Sequence, residues 1–180
     1  GLDIDAMVSL LPALGFSGAQ DSVVRLPSSS VSTAGYHGPR TILVVGVGTG
    51  WADTDPLAVT TDDEAALGYD QTGLLRRAAG RATRALAGTD SAILALPTLS
   101  GQQLAAVANG AALGAYSWKA TKNEDRPDQE SSSKQSTPLK SISIVSPLSD
   151  TPEGQETLAG ALALAEATSL TRDLVNEPPN

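Results

Sequence analysis

The sequence predicts an α/β domain, helices layered on a sheet. Three observations carry this. Short β-branched apolar runs at Thr41 to Val47, Ser91 to Leu96 and Ser141 to Val145 read as strands. Longer segments between and after them carry apolar residues at helical spacing. The two kinds alternate along the chain, and no repeat at solenoid spacing interrupts them. At 180 residues the chain has the length of one domain and can bury a core without staples.

Taken in order, Ile4, Met7, Val8 and Leu11 fall on one helical face, with Asp3 placed to cap it. Pro12 removes a helical donor and Gly15 can end the helix after Leu14. Ser22 to Leu26 reads as a short strand stopped by Pro27, and 27–40 is rich in turn formers. Thr41 to Val47 is continuously apolar, the pattern of a central strand covered on both faces. Residues 48–70 form a long acidic loop with Asp53, Asp55, Asp62, Asp63, Glu64 and Asp70 and no Lys or Arg.

A helix is expected from about Thr72 to Ala87, with Leu75, Ala78, Ala79, Ala82 and Leu86 as its apolar stripe and Gly88 just past its end. Ser91 to Leu96 is a second buried-type strand. Ser100 can cap the next helix, where Leu104, Val107, Ala108, Ala111 and Ala115 share a face. Residues 121–137 contain no aliphatic or aromatic side chain other than Pro127, so burial cannot offset their ordering entropy; they read as a mobile loop. After the strand Ser141 to Val145, Thr151 caps a long helix with Pro152 in its first turn. Leu158, Leu162 and Ala165 lie on one side of it, Leu164 and Leu174 elsewhere. A helix apolar nearly all round is buried on several sides. This one is expected to pack under the sheet with Leu162 facing the core, and also against something outside the chain.

Composition narrows the function. Hydrophobic residues make up 41% but aromatics only 3%, so Ala, Leu and Val must build the core. With no cysteine there can be no disulfide, Cys-ligated zinc or thiol nucleophile, and a cytosolic setting is the natural reading. A net charge of −8 repels phosphate backbones and argues against nucleic acid as main partner. No apolar run approaches the ~20 residues that span a membrane, and no secretory signal is visible. Gly1 reads as a tag remnant or a trimmed start.

The chemical motifs are weak. Gly46-Val47-Gly48-Thr49-Gly50 follows a strand, but Trp51 stands where a dinucleotide loop needs its third glycine. The plain reading is a strand exit; a nucleotide-type pocket is the alternative. The acids of 53–70 lack calcium-loop spacing, and Asp62-Asp63-Glu64 is not preorganised for acid–base work. The helix expected from about Thr72 to Ala87 carries Arg76, Arg77, Arg81 and Arg84, of which 77, 81 and 84 share a face; that stripe could bind phosphate, although pairing with the acidic loop or a solvated face is the plainer reading. His37, the single histidine, sits among turn residues with no matched Ser, Cys or metal spacing. Tyr116-Ser117-Trp118-Lys119 reads as a helix end anchored on the core. No residue is assigned as catalytic, cofactor-binding or metal-binding.

The segment Thr171-Arg172-Asp173-Leu174-Val175-Asn176-Glu177-Pro178-Pro179-Asn180 is the most distinctive in the chain. A helical pattern runs into Asn176 and stops at a double proline, which sends the backbone off extended. That reads as a domain ending at 176 with a linker opening at 177–180. The same segment closely resembles the domain junction of the leucyl (cytosol) aminopeptidase family. Three further segments are similar to that family in order. They are Ile42-Leu43-Val44-Val45-Gly46-Val47-Gly48, Leu75-Arg76-Arg77-Ala78-Ala79-Gly80 and Gly110-Ala111-Ala112-Leu113-Gly114-Ala115-Tyr116-Ser117-Trp118.

The resemblance implies a non-catalytic N-terminal domain at 1–176, a macro-domain-like layered sandwich with a mixed sheet flanked by helices. It implies a following catalytic domain with two divalent metal ions, zinc or manganese, that releases N-terminal residues from peptides. It also implies a cytoplasmic hexamer, built mostly through the catalytic domains, so that this domain serves assembly or active-site access. The family's metal-binding Asn-Thr-Asp-Ala-Glu-Gly-Arg-Leu stretch and its catalytic Lys region do not occur here. Three departures stand out: a family strand before the first helix is missing, the 48–70 loop is longer, and 121–137 is unusually polar. From a different class, a stand-alone macro-type module holding ADP-ribose or a related nucleotide is the alternative.

Overall fold

A computed structural model describes residues 1–48, 51, 71–117 and 139–176. The loop readings at 52–70 and 121–137, Trp118, and the Glu177–Asn180 exit lie outside the described residues.

Local chemistry starts and stops the elements where the sequence says. Helix α1 (Ile4–Leu10) begins at Asp3, whose Oδ1 accepts from the Ala6 N–H at 2.9 Å. A 3-10 turn, Pro12–Leu14, follows and ends on Gly15 at φ 73°, where a left-handed backbone favours glycine. Strand β1 (Val23–Pro27) pairs antiparallel with β2 (Thr41–Val45), from Val23 opposite Val45 to Pro27 opposite Thr41. Helix α2 (Gln71–Ala85) is followed by Gly88, also left-handed. Strand β3 (Ser91–Leu94) pairs in parallel with β4 (Ser141–Ile144). Between them α3 (Gly101–Ala115) starts at Ser100, whose hydroxyl accepts from the Gln103 N–H. Helix α4 (Pro152–Asn176) starts at Thr151, whose Oγ1 accepts from the Gly154 N–H at 3.0 Å.

The fold is mixed α/β, and its described strands form two hydrogen-bonded pairs, one antiparallel and one parallel. Both pairs feed one core. Leu75, Ala79 and Ala82 of α2, Leu94 of β3, and Ala106, Val107 and Ala111 of α3 form its buried centre. Leu43 and Val45 of β2, Ile142 and Ile144 of β4, Trp51 and Leu96 pack against it.

Glycines set the helix spacing. A Cβ on Gly110 would collide with the Arg76 carbonyl, and one on Gly114 with Thr83 Oγ1 and the Gly80 carbonyl. So α2 and α3 run side by side in the same direction with their backbones nearly touching. On its other side α3 lies along α4, also parallel. Gly101 faces Glu153 and Thr157 at one end, and Tyr116 Oη donates to Asp173 Oδ1 at 2.5 Å at the other.

Three readings need correction. Thr41 to Val47 is less deeply covered than a central strand: Ile42 to Val45 are half-buried on both faces, and among the described residues β2 pairs only with β1. Ser91 to Leu96, read as a buried strand, turns one face outward, with Ile93 59% exposed; Val145 at the end of the last strand is equally open. An unbroken apolar run shows that a strand touches a core, not how many of its faces do. The long helix α4 packs on α3 rather than under the sheet, and its buried positions are Gly154, Ala161 and Ala165. Leu162 does not face the core but is 44% exposed. The close helix contact admits small side chains, so the leucines are turned out.

Candidate functional site

Two surfaces stand apart from an otherwise ordinary exterior. The first is cationic. The turn before β1 puts Asp21 in a left-handed conformation, φ 65°, which Asp tolerates better than most residues. Its carboxylate takes a two-pronged grip from Arg77 of α2. Nε donates at 3.0 and 2.9 Å, and Nη2 at 2.5 Å. Arg81 Nε donates to the Asp21 carbonyl at 3.1 Å. The hydrogen bond from Arg77, chiefly, holds the Asp21 carboxyl below its usual range, with Arg81 and Arg84 adding to the effect. Beside this contact an open cavity of about 420 Å³ is lined by Asp21, Arg76, Arg77, Arg81, Arg84 and Arg172, with a floor of Gly80, Gly110, Leu113 and Gly114.

The arginine stripe is thus real, and part of it is paired, to Asp21 rather than to any acid singled out in the sequence. Neither Asp21 nor Arg172 is linked to the stripe by the sequence. They lie far from α2 along the chain, and no local motif marks a contact between residues 56 apart.

The second surface is apolar. Leu164, Leu170 and Leu174 of α4 are 61–63% exposed and Val175 78%. Between α3 and α4 a groove of about 430 Å³ is lined by Ala112, Leu162, Ala165 and Leu170, with Glu166, Ser169 and Asp173 among them. The end of α4 is pinned by Tyr116, whose hydroxyl binds Asp173 and whose ring lies 5.4 Å beneath the Arg172 guanidinium. The hydrogen bond to the Asp173 carboxylate raises the tyrosine's pKa. Tyr116 therefore anchors on α4, not on the core as its sequence context suggests.

The remaining candidates stay apart. His37 is exposed, just past the Thr33–Tyr36 turn. Gly46 fits against the Gly18–Ser22 turn, where a Cβ would meet Ala19 and Ser22, so the glycine at this strand exit makes room for backbone. Among the described residues no three His, Cys, Asp or Glu side chains are grouped to hold a metal ion, and no helix is long and apolar enough to cross a membrane.

No family model matches the chain. It is 38% identical over 175 residues to a probable cytosol aminopeptidase of Micrococcus luteus, covering 97% of this chain and 30% of that protein. It is 37% identical to the probable cytosol aminopeptidase of Leifsonia xyli subsp. xyli, over 97% of this chain and 28% of that one. For the Streptomyces avermitilis relative, also a probable cytosol aminopeptidase, the figures are 33%, 97% and 30%. Among solved structures the chain is similar to the bottromycin maturation enzyme BotP in complex with Mn. The TM-score is 0.60 and the identity 26%, over 94% of this chain and 29% of that one. The chain therefore spans about 30% of the length of the curated relatives it matches.

Proposed function

This chain belongs to the cytosol aminopeptidase family as an N-terminal domain, and from that premise we propose that it is the accessory, non-catalytic part of a cytoplasmic metal-dependent aminopeptidase. Residues 1–176 would be the domain and 177–180 the opening of the linker. The observation that carries this reading is the outer face of α4. Leu164, Leu170, Leu174 and Val175 stay exposed, while relatives that match nearly the whole chain continue for more than twice its length. An exposed apolar patch rimmed by polar residues marks an interaction site. We assign its cover to the catalytic domain of the same protein.

We place the two divalent ions of the reaction in that domain, a reading supported by the likeness to BotP in complex with Mn, of which this chain covers only 29%. What this chain contributes is rigid placement. The α4 rod, tied to α3 by the Tyr116–Asp173 hydrogen bond, sets the direction in which the catalytic domain leaves. Access of peptides to the active site and assembly of a hexamer are the roles that follow. The alternative of a stand-alone nucleotide module finds no support among the relatives or structural neighbours.

The test compares the chain alone with the intact protein on aminoacyl anilides with Mn²⁺ or Zn²⁺. The intact protein should turn over and the chain alone should not. Leu170→Ser with Leu174→Ser should leave the isolated chain folded and lower the stability or assembly of the intact protein. Metal-dependent turnover by the pure chain, or an intact double variant identical to the parent, would remove the proposal.

A further inference from the structure

The cationic cavity has no part in that reading. We propose that it is a binding site for a small polyanion carrying two or three phosphoryl groups. Five guanidinium groups face one carboxylate there, in a chain whose net charge is −8. Such a concentration of one sign works against the rest of the surface and raises the local concentration of anions. Asp21 occupies Arg77 and, through its carbonyl, Arg81. Arg76 and Arg84 have no hydrogen bond or ion pair among the described residues. Arg172 reaches in from α4 with its guanidinium laid over the Tyr116 ring, which leaves its N–H edge available.

The shape fits the charge. Gly80, Gly110, Leu113 and Gly114 form the floor, where the backbones of α2 and α3 close on each other, and the arginines of α2 and Arg172 of α4 line the same open space above it. The volume, about 420 Å³, lies in the usual range for small-molecule sites. A planar guanidinium matches two phosphoryl oxygens at once, whereas a monoanion could meet only one side of the cavity. Residues on two helices can be bridged by an elongated anion.

Inorganic triphosphate is the probe, titrated calorimetrically into the intact protein at low ionic strength. One saturable site per chain is expected, weakening as salt is added because the arginines are exposed. Arg76→Gln with Arg84→Gln should weaken binding by about tenfold or more, the scale of losing charge-assisted hydrogen bonds. Arg172→Gln should weaken it too, and Arg76→Lys with Arg84→Lys should recover only part, since lysine keeps the charge and loses the fork. Circular dichroism of each variant confirms that the fold is kept. Triphosphate bound equally by the double Gln variant would be held elsewhere, as at catalytic metal ions, and would overturn the proposal. So would the absence of a saturable site, or a preference of these arginines for a DNA duplex over triphosphate. None of these outcomes bears on the aminopeptidase reading, which the turnover comparison tests separately.

Discussion

Helices α3 and α4 are both built largely from Ala and Leu, with 9 of 15 and 11 of 25 residues apolar, and they have opposite fates. In α3 nine residues are buried, from Gln103 to Gly114, and they face every direction: α2 on one side, the strands beneath, α4 on the other. In α4 three of 25 residues are buried, and each of its leucines is at least 38% exposed. Apolar content thus does not say what covers a helix. For α3 the cover is in the chain. For α4 most of it is missing from the described residues, and the family's greater length supplies a candidate.

The comparison can be broken most sharply in the α2–α3 core. Leu75→Ala empties a fully buried site that both helices share, and should cost about 2–5 kcal/mol in urea unfolding of the chain. Leu174→Ala, on α4, should change the same measurement by no more than about 0.5 kcal/mol. Equal losses would mean that α4's outer face is packed in solution, and the contrast between the helices would be false.

Next comes the seam itself. Gly110→Ala places a methyl on the Arg76 carbonyl, an atom that cannot swing aside as a side-chain tip would. Overpacking of this kind typically costs about 1–3 kcal/mol. Gly160→Ala is the control, because nothing lies within 4 Å of its Cβ position; on an exposed helix it should stabilise by about 1 kcal/mol through helix propensity. If both substitutions act alike, the α2–α3 contact is looser than the structure has it.

Much of this architecture was legible in advance, and the reason is locality. Asp3, Ser100 and Thr151 start helices through their own side chains, and Gly15 and Gly88 end them through positive φ. Such signals lie within a few residues of what they control. Strand positions were legible too, but not their exposure, because an apolar run such as Ser91 to Leu96 looks the same with one face covered or two. On α4 the leucines drew attention while Ala161 and Ala165 made the contact; hydrophobicity ranks leucine first, and a close parallel helix ranks size first. The cationic cavity was half legible. The α2 stripe was visible as a helical pattern, whereas Asp21 and Arg172 arrive through tertiary folding.

Leu162 sharpens the comparison from the boundary. It lies between α4's buried and outer faces, 44% exposed at the edge of the groove with Ala112. Leu162→Ala should cost the chain about 1 kcal/mol, partial burial giving a fraction of the full leucine value. A loss as large as that of Leu75→Ala would show that the groove closes in solution.

The smallest expected effect belongs to the Asp21–Arg77 contact, which ties the turn before β1 to α2 and so to the better-packed half of the molecule. The folded pKa of Asp21 is depressed, chiefly by the hydrogen bond from Arg77. For an acid with a lowered folded pKa, the stabilisation is present above the unfolded pKa and is lost as pH falls through the folded one. Stability should therefore be level near neutrality and decline only below the ordinary carboxylate range. Both partners are substantially exposed, with side chains 37% and 59% accessible, so water and salt screen the pair and its contribution is small. Asp21→Asn should lower Tm slightly at neutral pH and converge with the parent in acid, so that part of the acid limb in a plot of Tm against pH is flattened, with a smaller difference at high salt. Asp90, paired with Lys140 on the open surface, is the reference. If Asp90→Asn flattens the limb as much as Asp21→Asn does, the two-pronged geometry at Asp21 confers nothing beyond a simple surface pair.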